Sequence, residues 1–171
     1  FNVTVLSTVI TENLVKYYKN ESQFVVKVLN GDGTPANGTN VTFNINGVFY
    51  TKEVINGTAT LNINLYPGDY IITTMYGKYA VGNNVTVLPT LITKDLDMKF
   101  QDGSNFTAKT LDGQGKPLAN QNITFNVNGV FYNRTTDENG MANLLIRLNP
   151  GKYIITSIWN EYQVGRTITI A

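Results

Sequence analysis

The sequence predicts an all-β protein made of two tandem β-sandwich domains with about seven strands each. Three observations lead to this prediction. The chain contains an internal repeat, its apolar and polar residues alternate with a period of two, and turn sequences rich in Gly, Pro and Asn recur at short intervals. No segment shows a convincing helical period.

The internal repeat relates the two halves of the chain. Placing Leu91 opposite Val9 gives an offset of 82 residues, and NVTFNINGVFY at residues 40–50 then aligns with NITFNVNGVFY at residues 122–132. One residue inserted before Gly140 changes the offset to 83, so that PGDYIIT aligns with PGKYIIT. Such close repetition indicates two copies of one domain.

The same alignment places the domain boundaries. We predict β-sandwich repeats over residues 7–88 and 89–171. Residues 1–6 contain NVTVL, which returns at residues 84–88, and we therefore predict that they form the last strand of an upstream repeat. The junction VTVLPTLIT has no flexible linker between the two repeats, and Pro89 is its only strand-breaking residue. We therefore predict that the two domains form a stiff, semi-extended pair.

Strands and hairpins follow from the alternation within each copy. In VTFNI, the apolar side chains of Val41, Phe43 and Ile45 alternate with polar ones, which predicts one buried and one solvated face. Asn-Gly pairs follow at residues 46–47 and 128–129. They predict type I′ hairpin turns, because both central residues of that turn need a positive φ.

A Pro-Gly-x-Tyr sequence opens one strand of each copy. We predict that Tyr70 and Tyr153 are tyrosine corners, in which the ring enters the core and the hydroxyl bonds to nearby backbone. The alternative is a core tyrosine whose hydroxyl meets water. Neither interpretation implies catalysis.

These motifs resemble a known family. DGQGKPLANQNITFNVNGVFY together with PGKYIITSIW resembles the immunoglobulin-like repeats of adhesin-like surface proteins from methanogenic archaea and, more distantly, bacterial Ig-like repeats of the invasin type. The resemblance implies an Ig-like sandwich fold and an extracellular, cell-surface protein in which many such domains form a stalk or an adhesive surface. Neighbouring repeats of the same chain are the implied partners.

The composition excludes most enzyme classes. The chain has no cysteine and no histidine, which removes thiol nucleophiles, disulfides, Cys or His metal sites and His-based proton relays. No acid of one copy aligns with an acid of the other. We therefore predict no catalytic residue, no metal site and no cofactor. The acidic turn at Asp137 and Glu138 could hold calcium, but an ordinary β-turn is the favoured interpretation.

Charge and hydropathy exclude two further partner classes. A formal net charge of +1 with 15% charged residues does not provide the basic surface that nucleic-acid binding needs. No apolar run has the length of a membrane span, so we predict no membrane insertion within this chain. Lys27 and Lys109, the lysines shared by position, are expected to point into solvent.

A ligand surface is predicted around YIITTMY and YIITSIW. Their alternation leaves an outer face that is more apolar than a solvated sheet face usually is, and aromatic residues end or follow both strands. The alternative is that the aromatic residues close the end of the core. The candidate ligand contacts are Ile71, Met75, Tyr76, Tyr79, Ile154, Ile158, Trp159 and Tyr162.

Acceptor sequences for N-glycosylation are more frequent than chance composition predicts. The alternative is that solvated strand faces and turns favour Asn and Thr for their own reasons. The Asn-x-Ser/Thr sites are Asn2, Asn20, Asn37, Asn40, Asn56, Asn84, Asn105, Asn122 and Asn133.

Two functions fit these observations. The first is a non-catalytic extended stalk or spacer of a cell-surface protein, which the repeat and the short junction favour. The second is an adhesin domain that binds a sugar or a protein on other cells through the predicted ligand surface. An enzyme is disfavoured by the missing residue types.

Overall fold

The computed structural model describes all 171 residues, which form strands and turns without a helix. The chain divides into two compact units, Phe1–Leu88 and Pro89–Ala171. Each unit contains a three-stranded and a five-stranded sheet that enclose one apolar core. The predicted all-β fold of two β-sandwich domains is confirmed.

In the first unit, the strands are numbered in chain order. The three-stranded sheet has the order β1 (Val9–Thr11), β3 (Gln23–Val28), β6 (Thr58–Asn62). The five-stranded sheet has the order β2 (Leu14–Tyr17), β8 (Tyr79–Leu88), β7 (Gly68–Tyr76), β4 (Asn40–Ile45), β5 (Val48–Glu53). All pairs are antiparallel except β2 with β8, which is parallel.

The second unit repeats this topology. Its three-stranded sheet has the order β14 (Met141–Leu145), β11 (Asn105–Thr110), β9 (Leu91–Thr93). Its five-stranded sheet has the order β10 (Leu96–Met98), β16 (Tyr162–Ile170), β15 (Gly151–Trp159), β12 (Asn122–Val127), β13 (Val130–Thr135). Here β10 and β16 form the parallel pair.

Each unit has eight strands instead of the expected seven or so, because its first strand is divided between the two sheets. The division falls at Asn13 in the first unit and at Asp95 in the second. The Oδ1 of Asn13 accepts the backbone amide of Asn84 at 2.9 Å, and the Oδ1 of Asp95 accepts that of Thr167 at 2.9 Å. A side-chain acceptor therefore satisfies a backbone donor where the first strand changes sheets.

The cores contain the alternating apolar residues that the sequence indicated. Phe24 and Phe43 meet edge to face at 5.8 Å in the first unit, and Phe106 and Phe125 meet in the same way at 5.8 Å in the second. All four rings are almost completely buried. Burying each one contributes roughly 1.5–3 kcal/mol, so the aromatic pair is a main stabilising element of both units.

The Asn-Gly hairpins have the predicted backbone geometry. Asn46 and Gly47 have φ values of 53° and 75°, and Asn128 and Gly129 have values of 52° and 76°. The positive φ at both central residues is the property of a type I′ turn. These turns set the register of β4 with β5 and of β12 with β13.

Residues 1–6, expected as a strand, belong to neither sheet. The side chains of Val3, Val5 and Leu6 are exposed. The same sequence NVTVL at the end of β8 is paired on both sides, with β7 and with β2. A strand needs such hydrogen-bonding neighbours, and residues 1–6 pair with none of the strands. Their pairing with an upstream repeat stays a prediction.

Candidate functional site

The aliphatic side chains among the predicted ligand contacts lie on the outer faces of the five-stranded sheets. Ile71 is 67% exposed and Ile154 is 62% exposed. Met75 and Ile158 share these faces, opposite Thr42 and Thr124 respectively, and both are half-buried.

Two exposed phenylalanines on the same faces were missing from the sequence prediction. Phe49 is 64% exposed and Phe131 is 62% exposed. They pair with Asn44 and Asn126, and residues directly opposite on antiparallel strands share a face. We call this surface, which each unit carries separately, the outer-face patch. It consists of Phe49, Ile71 and Met75 in the first unit and Phe131, Ile154 and Ile158 in the second.

The aromatic candidates lie on the opposite side of these sheets from the outer-face patch. Tyr76 pairs with Tyr79, and Trp159 pairs with Tyr162, at the end of each hairpin. Trp159 and Tyr162 are half-buried and pack against the core of the second unit, whereas Tyr79 is 46% exposed. The eight predicted ligand contacts therefore do not form one site.

The single tryptophan also has a polar partner. The Nε1 of Trp159 donates to the Oε1 of Gln121 at 3.3 Å. The ring of Trp159 contacts the core and its N–H is already hydrogen-bonded. Both parts of the indole are therefore largely occupied within the unit and contribute little to a ligand site.

Both predicted tyrosine-corner residues bond to backbone four positions earlier. The hydroxyl of Tyr70 donates to the carbonyl oxygen of Tyr66 at 2.8 Å, and the hydroxyl of Tyr153 donates to that of Asn149 at 2.9 Å. Both rings are half-buried. The two hydroxyl groups are thus engaged in holding the loop that precedes the strand.

The first unit contains a buried lysine that the alternation did not reveal. The Nζ of Lys16 donates to the carbonyl oxygens of Ser22 at 3.1 Å and Ile63 at 2.9 Å, and also to that of Asn20. Burial lowers the pKa of Lys16. The equivalent position in the second unit is Met98, so this cation belongs to one unit and not to the shared scaffold.

The acidic turn considered for calcium is closed by its own side chain. The Oδ1 of Asp137 accepts the backbone amides of Asn139 and Met141 at 2.8 and 3.0 Å. Asp112 bonds to its own turn in the same way, and these bonds, led by the one from the Lys116 amide, hold its pKa below the ordinary value. No group of three or more His, Cys, Asp and Glu side chains is placed to hold a metal ion.

The lysines shared by position differ in exposure, since Lys27 is exposed and Lys109 is half-buried.

Most of the asparagines in acceptor sequences are accessible. Asn20 is half-buried, and its Oδ1 accepts the amide of Ser22 at 2.7 Å. Between the repeats at residues 7–88 and 89–171, only Asn40 and Asn122 occupy equivalent positions, at the starts of β4 and β12. The exposed members of the set are Asn2, Asn37, Asn40, Asn56, Asn84, Asn105, Asn122 and Asn133.

No protein-family model matches the chain, and no curated protein matches it. Solved structures of tandem domains do resemble it. The I9–I11 tandem of titin has 15% identity and a TM-score of 0.46, over 94% of this chain and 64% of the titin chain. The D0–D1 domains of intimin have 17% identity and a TM-score of 0.38, over 94% of each chain.

Invasin, a bacterial integrin-binding protein, has 19% identity and a TM-score of 0.38, over 99% of this chain and 40% of the invasin chain. The chain thus spans less than two thirds of the titin and invasin chains that it resembles. At these identities and TM-scores, the likeness assigns no function to this chain. The structure contains no helix of the length and hydropathy needed to cross a membrane.

Proposed function

We propose that the chain is a pair of non-catalytic Ig-like repeats from an adhesin-like protein of the cell surface, where the pair acts as an extended stalk or spacer. The proposal rests on the observation that the two units share structural features and not unusual ionisable groups. The edge-to-face phenylalanines, the Asn-Gly turn and the bonded tyrosine recur at equivalent positions. Unusual ionisable groups such as Lys16 do not recur.

A repeated scaffold without a repeated chemical group is what a spacer needs. Its role depends on a stable fold and on the number of copies, and not on the surface of any one copy. The narrower relationship to repeats of methanogenic archaea is part of the same proposal and rests on the resemblance of NITFNVNGVFY and PGKYIIT.

The exposure of the acceptor asparagines supports the proposed extracellular location. Exposed asparagines in acceptor sequences can take a glycan without unfolding, and eight of the nine are exposed. We expect intact-mass spectrometry of protein purified from its native host to show added sugar. An unmodified mass would remove the glycosylation proposal and leave the fold unaffected.

The second candidate function is adhesion, and the outer-face patch favours it. Phe49 and Phe131 occupy equivalent positions, as do Ile71 and Ile154, and all four are more than half exposed. Apolar residues repeated on a solvent-facing sheet surface can contact the apolar face of a sugar or a protein surface.

One binding experiment separates the two functions. The fluorescently labelled chain is mixed with intact microbial cells and with isolated cell-wall polysaccharides. The matched variant carries Thr in place of Phe49, Ile71, Phe131 and Ile154, because exposed strand positions accept Thr without loss of the core. Saturable binding that the variant loses supports adhesion.

The spacer function has its own test. A binding module is displayed on a cell surface through the pair, and capture of its ligand is measured. Deleting the pair is expected to lower capture, whereas the four-Thr variant is expected to preserve it. Capture that is unchanged by the deletion would contradict the spacer proposal.

A further inference from the structure

A crevice opens at one edge of the second unit, between β13 of the five-stranded sheet and β14 of the three-stranded sheet. Its volume is about 380 Å³. The two strands that border it are not hydrogen-bonded to each other. A second depression of about 490 Å³ shares Leu145, Ile146 and Arg147 with it, and we call the two depressions together the groove.

The groove combines an apolar floor with a basic rim. The floor consists of Val127, Leu144 and Ile146, which are buried. At the rim, Arg134 and Arg147 are exposed. They are two of only three arginines in the chain, and no acidic residue lines the groove. The lining is therefore complementary to a ligand that carries both apolar and anionic groups.

The first unit shows that the scaffold does not require these residues. Arg147 and Leu145 are replaced there by Asn64 and Asn62, and Arg134 is replaced by a lysine. The same strand pairing forms in both units. Because the first unit folds without these residues, the stability of the fold does not explain why the second unit has arginine at the rim and leucine at position 145.

The edge of β13 offers backbone groups to an extended ligand. The two-residue turn makes Val127 and Val130 the closing pair of the hairpin, and in such a turn the closing pair is hydrogen-bonded. Hydrogen-bonded pairs alternate along the strands, so the amides of Phe131, Asn133 and Thr135 point away from β12. The Nη1 of Arg134 donates to the Asn133 carbonyl at 2.7 Å and blocks part of this edge.

We propose that the groove binds an extended peptide of another protein, in which apolar and carboxylate side chains lie two residues apart on one face. The carboxylates would bond to Arg134 and Arg147, since a guanidinium and a carboxylate form paired hydrogen bonds. The apolar side chains would fill the space above Leu144 and Ile146. Free amides on an edge strand favour a peptide, because it can extend the sheet with its own backbone.

The site is distinct from the outer-face patch. Arg134 and the half-buried Tyr132 pair with Ile123 and Phe125, which are core residues, so they lie on the inward side of the sheet. The proposal is therefore independent of the stalk and adhesion functions and can be tested separately from them.

The test uses the whole chain labelled with ¹⁵N and three synthetic hexapeptides. Serine occupies every second position in each peptide, so that the other three side chains share one face. These three are Glu, Val and Glu in the Glu-Val peptide, Lys, Val and Lys in the Lys-Val peptide, and Glu, Ser and Glu in the Glu-Ser peptide. We expect saturable amide shifts at Tyr132, Leu145 and Arg147 with the Glu-Val peptide only. The Lys-Val peptide lacks the charge match, and the Glu-Ser peptide lacks the apolar groups.

The matched variant transfers the residues of the first unit, as R134K/L145N/R147N. We expect its dissociation constant for the Glu-Val peptide to rise by roughly tenfold or more, with an unchanged fold because the other unit already carries these residues. Equal affinity in the variant, or shifts confined to the first unit, would overturn the proposal.

Two competing occupants are tested in the same samples. Oligogalacturonate that shifts the same amides at lower concentration than the Glu-Val peptide would assign the groove to an acidic sugar. Self-association that sedimentation detects in the natural chain but not in R134K/L145N/R147N would assign it to a second copy. Either result overturns the assignment to a peptide of another protein.

Discussion

Gly140 is the position where one added methyl group should have the largest effect. Its φ is +72°, and a Cβ built there would lie 2.5 Å from the carbonyl oxygen of Thr110 and 3.1 Å from the amide nitrogen of Leu118. Both contacts are with backbone atoms, so no change of rotamer relieves them. The main chain itself must move.

The expected cost has two parts. A left-handed backbone conformation costs an alanine about 1–2 kcal/mol. The displaced backbone includes the bond from the Leu118 amide to the Thr110 carbonyl at 2.9 Å and the bond from the Thr110 amide to the Gly140 carbonyl at 2.8 Å. Losing both adds about 1 kcal/mol each, so Gly140→Ala should lower the free energy of unfolding by about 3–4 kcal/mol.

Gly129 provides the matched control. Its φ is +76°, yet nothing lies within 4 Å of a Cβ built there. Gly129→Ala therefore carries the backbone cost without the contacts, and should lower the free energy of unfolding by only about 1–2 kcal/mol. The difference between the two variants isolates the effect of the close approach.

Trp159 makes the measurement specific to the second unit. It is the only tryptophan of the chain and packs against the core of that unit. Urea denaturation of the whole chain, followed by tryptophan fluorescence, therefore reports on the unit that carries both glycines. Equal destabilisation by Gly140→Ala and Gly129→Ala would refute the reasoning from backbone contacts.

Three further predictions concern single side chains. Tyr153→Phe removes the hydrogen bond to the Asn149 carbonyl and should lower the free energy of unfolding by about 1 kcal/mol in the same fluorescence assay; an unchanged value would mean that water replaces the bond at no cost. Lys16→Met introduces the residue found at Met98 but leaves three carbonyls without their donor. The substitution should lower the free energy of unfolding of the first unit by about 1–3 kcal/mol, which calorimetry would detect as a lower midpoint for that unit. A raised midpoint would show that burying the charge costs more than its three hydrogen bonds contribute. For Asp112, the lowered pKa of the folded state means that its contribution is fully present above the unfolded pKa and is lost as the pH falls through the folded value. Asp112→Asn should therefore weaken the loss of stability at acid pH, and identical acid profiles would contradict this.

Local sequence patterns were sufficient to predict the strands that bury one face. Phe43 and Phe125 could be predicted as core residues because burial of every second residue produces an alternation of apolar and polar residues in the sequence. β5 shows no such alternation, since all six of its residues are exposed. The face on which Phe49 lies follows instead from its pairing with Asn44, a register that the two-residue turn at Asn46 and Gly47 sets.

Features that depend on distant residues could not be predicted. The carbonyls that surround Lys16 belong to residues 4, 6 and 47 positions away, and no local pattern indicates that they converge. The divided first strand depends likewise on Asn13 reaching the backbone of Asn84. A comparison of the two copies position by position would have found the groove residues, because Arg147 and Leu145 differ in kind from Asn64 and Asn62.

The parallel pair in each sandwich has a mechanical consequence. In the first unit, Leu14–Tyr17 at the beginning lies beside Tyr79–Leu88 at the end, with both strands running in the same direction. Tension applied through the two ends of the unit pulls these neighbours in opposite directions along their common axis. The hydrogen bonds between them are then loaded in shear, all at the same time, instead of opening one after another.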